Sequence, residues 1–231
     1  MVILAKTLKR TYGVIGSFYT LQFQDGTLLN CRNVLEIYKG QIFCPYQNKL
    51  PDALFVMMNP GSSRPWDKEY ISPIYTDALI SDKAEITCTW TKAYPDITQY
   101  QVMRVMAHKG WNHVRVINLS DIRSPKSSEF KSTLKTLNEY KPKHLHSIFS
   151  PARKRELEKM LRIKQCAPIV LAWGTDEFLS ELAVLGLQAL PMKNRKGVRS
   201  GFSGLLFFHA SPTLQEHKER WLKGILKALG A

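Results

Sequence analysis

The chain has 231 residues, 44% of them hydrophobic, enough for one sizeable core with an appendage. Its 33 Lys and Arg against 19 Asp and Glu give a formal charge of +14, which points to a polyanionic partner. The cysteines Cys31, Cys44, Cys88 and Cys166 form no CxxC pair, which excludes a clustered-cysteine zinc or iron–sulfur site and a disulfide framework.

No run approaches the length of a membrane span, and the first five residues are too short for a signal h-region. The expectation is a soluble, cytoplasmic monomer with no metal and no cofactor, and with nucleic acid, DNA ahead of RNA, as its partner rather than a membrane.

Residues 1–50 differ from the rest. Tyr19–Gln24 alternates like a strand, Asp25-Gly26 follows, and Thr27–Cys31 resumes the pattern, so a β-hairpin is predicted. Leu54–Met58 is an unbroken apolar run ending in Asn59-Pro60-Gly61. It reads as a strand buried on both faces, with a polar amide at its C-terminal end. Residues 62–96 are irregular and carry Trp66, Tyr70, Tyr75, Trp90 and Tyr94, as a folded functional loop would. A helix is predicted from Thr98 to His108, ending before Gly110. Val114–Leu119 reads as a second buried strand, exiting through Asn118. Helices over Phe130–Tyr140 and Ala152–Ile163 precede a third strand, Pro168–Trp173, with a glycine exit at Gly174. Asp176–Leu185 reads as a helix ended by Gly186, Met192–Gly204 as a basic loop, and Leu205–Phe208 as a fourth strand delivering His209-Ala210-Ser211-Pro212. Glu216–Leu229 is an amphipathic closing helix.

Alternating strands and helices predict parallel βαβ units. Asn59, Asn118, Gly174 and His209 then converge at the C-terminal edge of the sheet, where open α/β sheets bind ligands. No glycine-rich dinucleotide or Walker motif is present, and no Gly-x-Ser-x-Gly elbow surrounds Ser211. Glu156, Glu158 and Asp176-Glu177 lie among lysines and read as solvated helix faces rather than metal ligands.

These residues, in this order, resemble the uracil-DNA glycosylase superfamily. Met58-Asn59-Pro60-Gly61 looks like the Asn-Pro-Gly form of its first motif, and His209-Ala210-Ser211-Pro212 like its second. Asn118 falls where members place a pyrimidine-reading asparagine. The segment 96–130, with Thr98, Gln99, Arg104 and Asn118, resembles more closely a bacterial and phage family known as domain of unknown function 1643. The likeness spans residues 53–229. The departures are Met57 or Met58 in place of an opening glycine, Ala210 in place of a proline, and Thr213 at the base-displacing position with Leu214 next to it.

The resemblance implies a three-layer α/β/α domain over residues 51–231, with a four-stranded, mostly parallel sheet and residues 1–50 as a hairpin extension. It implies excision of uracil or another altered pyrimidine from DNA by hydrolysis of the N-glycosidic bond. Asn59 would position water and His209 would stabilise the departing base. Asn118 would read the base edge, with Trp66, Tyr70 or Tyr75 stacking on it. Gly61, Ser62, Ser63, Arg64, Arg123, Ser211, Thr213 and Leu214 would hold the nucleic acid. The alternatives are a non-catalytic nucleic-acid-binding protein on the same fold, or a nucleoside or nucleotide hydrolase.

Overall fold

The computed structural model describes residues 3–40, 49–81, 85–140, 144–201 and 204–230; Cys44 lies outside them. The first half of the chain forms α1 (Ala5–Thr11), β1 (Tyr12–Gln22), β2 (Leu28–Lys39), β3 (Ala53–Met57), β4 (Arg64–Pro65), β5 (Ile74–Thr76), α2 (Asp77–Ser81), β6 (Trp90–Tyr94) and α3 (Ile97–Lys109). The second half forms β7 (His113–Asn118), α4 (Ser127–Leu137), α5 (Lys154–Met160), β8 (Ile169–Ala172), α6 (Ser180–Ala189), β9 (Arg195–Gly197) and α7 (Gln215–Ala228).

All five side chains of β3 are buried. Ala53, Phe55 and Met57 enter one hydrophobic cluster, while Leu54 and Val56 enter another on the opposite face. A strand apolar at every position belongs in the middle of a sheet covered on both sides. Accordingly β3 lies between β7 and β8, parallel to both, and β9 extends the parallel portion beyond β8. Leu8 of α1, Val102 and Met106 of α3, and Trp221 and Ile225 of α7 cover the Phe55 face. Phe130 and Leu134 of α4, Leu157 of α5, and Leu182 and Ala183 of α6 cover the Val56 face.

The described strands make one mixed sheet in the order β4-β6-β1-β2-β7-β3-β8-β9, with β5 beside β1. The sequence reading of four strands plus a hairpin is thus too small. The hairpin is real: Gly26 takes a left-handed φ of 85°, and Asp25 accepts from the Thr27 amide at 2.9 Å. It is also longer than the alternation suggests, and β2 pairs antiparallel with β7 from Leu35↔Val116 to Tyr38↔His113.

Three further expectations are corrected. The fourth parallel strand is Arg195–Gly197, not Leu205–Phe208, which makes only bridges from Phe207 to Gly174 and Arg199. Gly186 lies inside α6 rather than ending it, because a β-carbon there would stand 3.0 Å from the Leu119 side chain. Glu156 is buried, not solvated. Its carboxylate takes both Arg153 Nε (2.9 Å) and Nη2 (2.7 Å), and it also accepts from Asn33 Nδ2 at 3.0 Å. Arg153 Nη1 lies 2.7 Å from Asp121, which in turn accepts from the Tyr19 hydroxyl at 2.9 Å. This knot ties β1, β2, the segment after β7 and α5 together on the Val56 face.

Candidate active-site cleft

β3 ends where Pro60 removes a backbone donor and Gly61 turns the chain with φ 61°. Backbone bonds from Leu119 N to Met57 O (2.7 Å) and Ser120 N to Met58 O (3.1 Å) hold the exits of β3 and β7 side by side. The Asn59 amide then reaches across: Nδ2 donates to Ser124 O at 2.8 Å and Ile122 O at 3.2 Å. One role of Asn59 is therefore to clamp the loop that follows β7.

His209 is fixed through its neighbours. Trp221 Nε1 of α7 donates to Phe208 O at 3.0 Å, and Gln101 Nε2 of α3 donates to Ala210 O at 3.1 Å. Ala210 is fully buried on the Phe55 face. The Ser211 amide donates to His209 Nδ1 at 3.2 Å. That bond requires an unprotonated Nδ1, so the neutral ring carries its proton on Nε2. Burial pushes the pKa of His209 below its ordinary value, and the imidazole is neutral at physiological pH.

Asn59 and His209 line one cleft of about 600 Å³ at the C-terminal edge of β3 and β8. Gly61, Ser62, Ser211 and Thr213 line it as well. So do Asp96, Trp173 and Lys218, to which the sequence reading gave no role in a site, and Asp176, which it read as part of a solvated helix face. Trp173 is fully buried, edge-on to Phe207 with ring centroids 5.2 Å apart.

Asp96 is the N-cap of α3. Its Oδ1 accepts from Thr98 N (2.9 Å) and Gln99 N (3.0 Å), and Gln99 Oε1 accepts from Asp96 N at 2.7 Å, a complete capping box. Its Oδ2 lies 2.9 Å from where a β-carbon on Gly61 would stand. Burial raises its pKa above the usual carboxylate value, against the opposing pull of Arg32, the two capping amides and His209.

The remaining predicted site residues lie elsewhere. Asn118 is fully buried behind the cleft, where its amide is oriented to donate to Asn59 O (3.3 Å) and accept from Arg32 Nη2 (3.2 Å). Ser63 is also fully buried, and Arg123 Nε donates to its carbonyl at 2.6 Å. Trp66 stands away from the cleft, stacked on Tyr94 with centroids 4.2 Å apart, with Lys92 Nζ 4.4 Å from its ring centroid and Arg64 5.2 Å from that of Tyr94. Tyr70 packs edge-on to Phe18, and its hydroxyl donates to Phe18 O at 3.3 Å. Leu214 is exposed at the start of α7. Neither Trp66 nor Tyr70 reaches the cleft lining, because β4 and β6 carry one to the far edge of the sheet and Phe18 holds the other.

Among the described residues no group of three or more His, Cys, Asp or Glu is arranged to hold a metal ion, and no helix is long and apolar enough to cross a membrane. No protein-family model, curated protein or solved structure matches the chain.

Proposed function

We propose that this protein hydrolyses an N-glycosidic bond in nucleic acid, releasing uracil or another altered pyrimidine from DNA. The observation that carries the reading is the meeting, in one cleft, of the Asn59-Pro60-Gly61 loop and a neutral His209 whose Nε2–H is its remaining donor. Rupture of a glycosidic bond leaves negative charge on the departing base, and a fixed donor stabilises that charge as it develops. Asn59 has its side-chain oxygen left to position water, since its Nδ2 is committed to the Ile122 and Ser124 carbonyls. Lys218 in the cleft, the exposed Arg64 and the formal charge of +14 supply attraction for phosphates.

The second reading is a non-catalytic nucleic-acid-binding protein. It is favoured by Asn118, whose amide is already bonded to Asn59 O and Arg32 and so is not turned toward a base.

Single- and double-stranded oligonucleotides carrying different altered bases, followed by alkaline cleavage at abasic sites, separate the two. The wild type should release a base, and His209→Ala should slow release by about 10²-fold or more, as for loss of one donor to a developing anion. Oligonucleotide affinity should change little in that variant and fall steeply with salt in both. Tight, salt-dependent binding without release from any substrate establishes the binding protein instead.

A further inference from the structure

We infer that Asp96, at the start of α3, is the carboxylate that takes the proton from the attacking water. The inference rests on the hydrolytic reading above and adds the base that Asn59, an amide, cannot supply. The two oxygens of Asp96 do different things. Oδ1 is occupied by the Thr98 and Gln99 amides, which fix the carboxylate to a 13-residue helix. Oδ2 accepts no hydrogen bond among the described residues and faces the cleft beside Gly61. Here the second oxygen points to the loop that ends β3, and only a glycine there leaves it room: any β-carbon would stand 2.9 Å away.

In the step, Asp96 Oδ2 accepts a proton from water as the water oxygen bonds to the sugar's anomeric carbon. The bond from that carbon to the base nitrogen breaks, and its electron pair leaves on the base. His209 Nε2–H holds the resulting anion until solvent, or the carboxyl proton on Asp96, neutralises it. The products are a free base and an abasic sugar. The groups acting on Asp96 while His209 is neutral are Arg32 from β2 and the two capping amides, which favour its ionised form; His209, from the segment before α7, adds to them only when protonated. Burial works the other way and raises its pKa, giving a carboxylate more basic than a free one.

Asp96→Asn is the deciding variant, because asparagine caps a helix as well as aspartate does but accepts no proton. Single-turnover base release from the best altered oligonucleotide should fall about 10²- to 10⁴-fold. The acid limb of the wild-type pH–rate profile should disappear, while melting temperature and oligonucleotide affinity stay at wild-type values. Gly61→Ala should also slow release, by crowding Oδ2. Asp96→Asn retaining wild-type rate while His209→Ala is slowed leaves the glycosidase reading standing and overturns the assignment of Asp96. A wild type that releases no base from any oligonucleotide overturns both.

Discussion

His146 shows how far one buried side chain can couple this protein to pH. It is buried beside Ser120, with Nδ1 2.9 Å from Ser120 Oγ, and burial pushes its pKa down to about 3. In the unfolded chain the ring takes a proton as pH falls below about 6.5; in the folded protein it stays neutral until far lower. The unfolded state therefore binds more protons between those values. Stability from this residue is complete above about 6.5 and is lost at roughly 1.4 kcal/mol per pH unit as pH falls. Asp121 works in the opposite sense. Burial raises its pKa to about 6, so the folded state holds its proton longer than the unfolded chain does. Comparing urea unfolding of wild type and His146→Gln from neutral to mildly acid pH isolates the histidine. The variant should lose much less stability on acidification; an identical slope in both would remove His146 from the account. Asp96 teaches a different lesson. Its cap was legible, since Asp96 followed by Gln99 is a capping-box pattern. Its place in the cleft was not, because that depends on Gly61, 35 positions earlier, turning toward it.

The elements that the sequence announced are those whose burial is uniform along their length. β3, β7 and β8 are buried at nearly every position, and an unbroken apolar run has few other places to go. β9 escaped notice because Arg195-Lys196-Gly197 is an edge strand: its backbone pairs with β8 while its side chains stay partly in solvent. Leu205–Phe208 misled for the converse reason. It is apolar because Phe207 packs against Trp173 and over Gly197, not because it lies in the ladder. Glu156 looked like a surface charge because nothing local in a Lys-Arg-Glu-Leu-Glu-Lys run reveals that β1 and β2 lie above it. The knot around Arg153 carries a prediction about α5 and the strands beneath it. Arg153→Ala removes the shared cation from Asp121 and Glu156 and leaves two carboxylates in the core. The expected loss is about 3–5 kcal/mol, checked by denaturant unfolding. Adding Asp121→Asn should recover part of it. A loss below about 1 kcal/mol would mean that the knot is no more than an exposed pair in effect.

Taken as a whole, the molecule makes β1 and β2 part of the same sheet as the strands that end at the cleft. β2 caps the edge of β7 through four register pairs, and Glu36 of β2 binds both His113 and Arg115 of β7. A fragment of residues 51–231 would expose that edge and the apolar Val116 beside it. It should aggregate or lack a cooperative thermal transition, judged by calorimetry and near-ultraviolet circular dichroism. A fragment that melts cooperatively would make the hairpin a dispensable appendage. The pairing does not stop at β7. Arg32 N donates to Asp121 O at 2.8 Å, and Arg123 N donates to Asn30 O at 2.9 Å. Those residues flank Ile122, whose carbonyl Asn59 grips from the other side, as it grips that of Ser124. The rim of the cleft is thus strung between the hairpin and Asn59 like a cord made fast at both ends. A partner whose binding displaced the hairpin strands would shift residues 121–123 with them, and the change would reach the clamp beside the cleft without any group having to enter it.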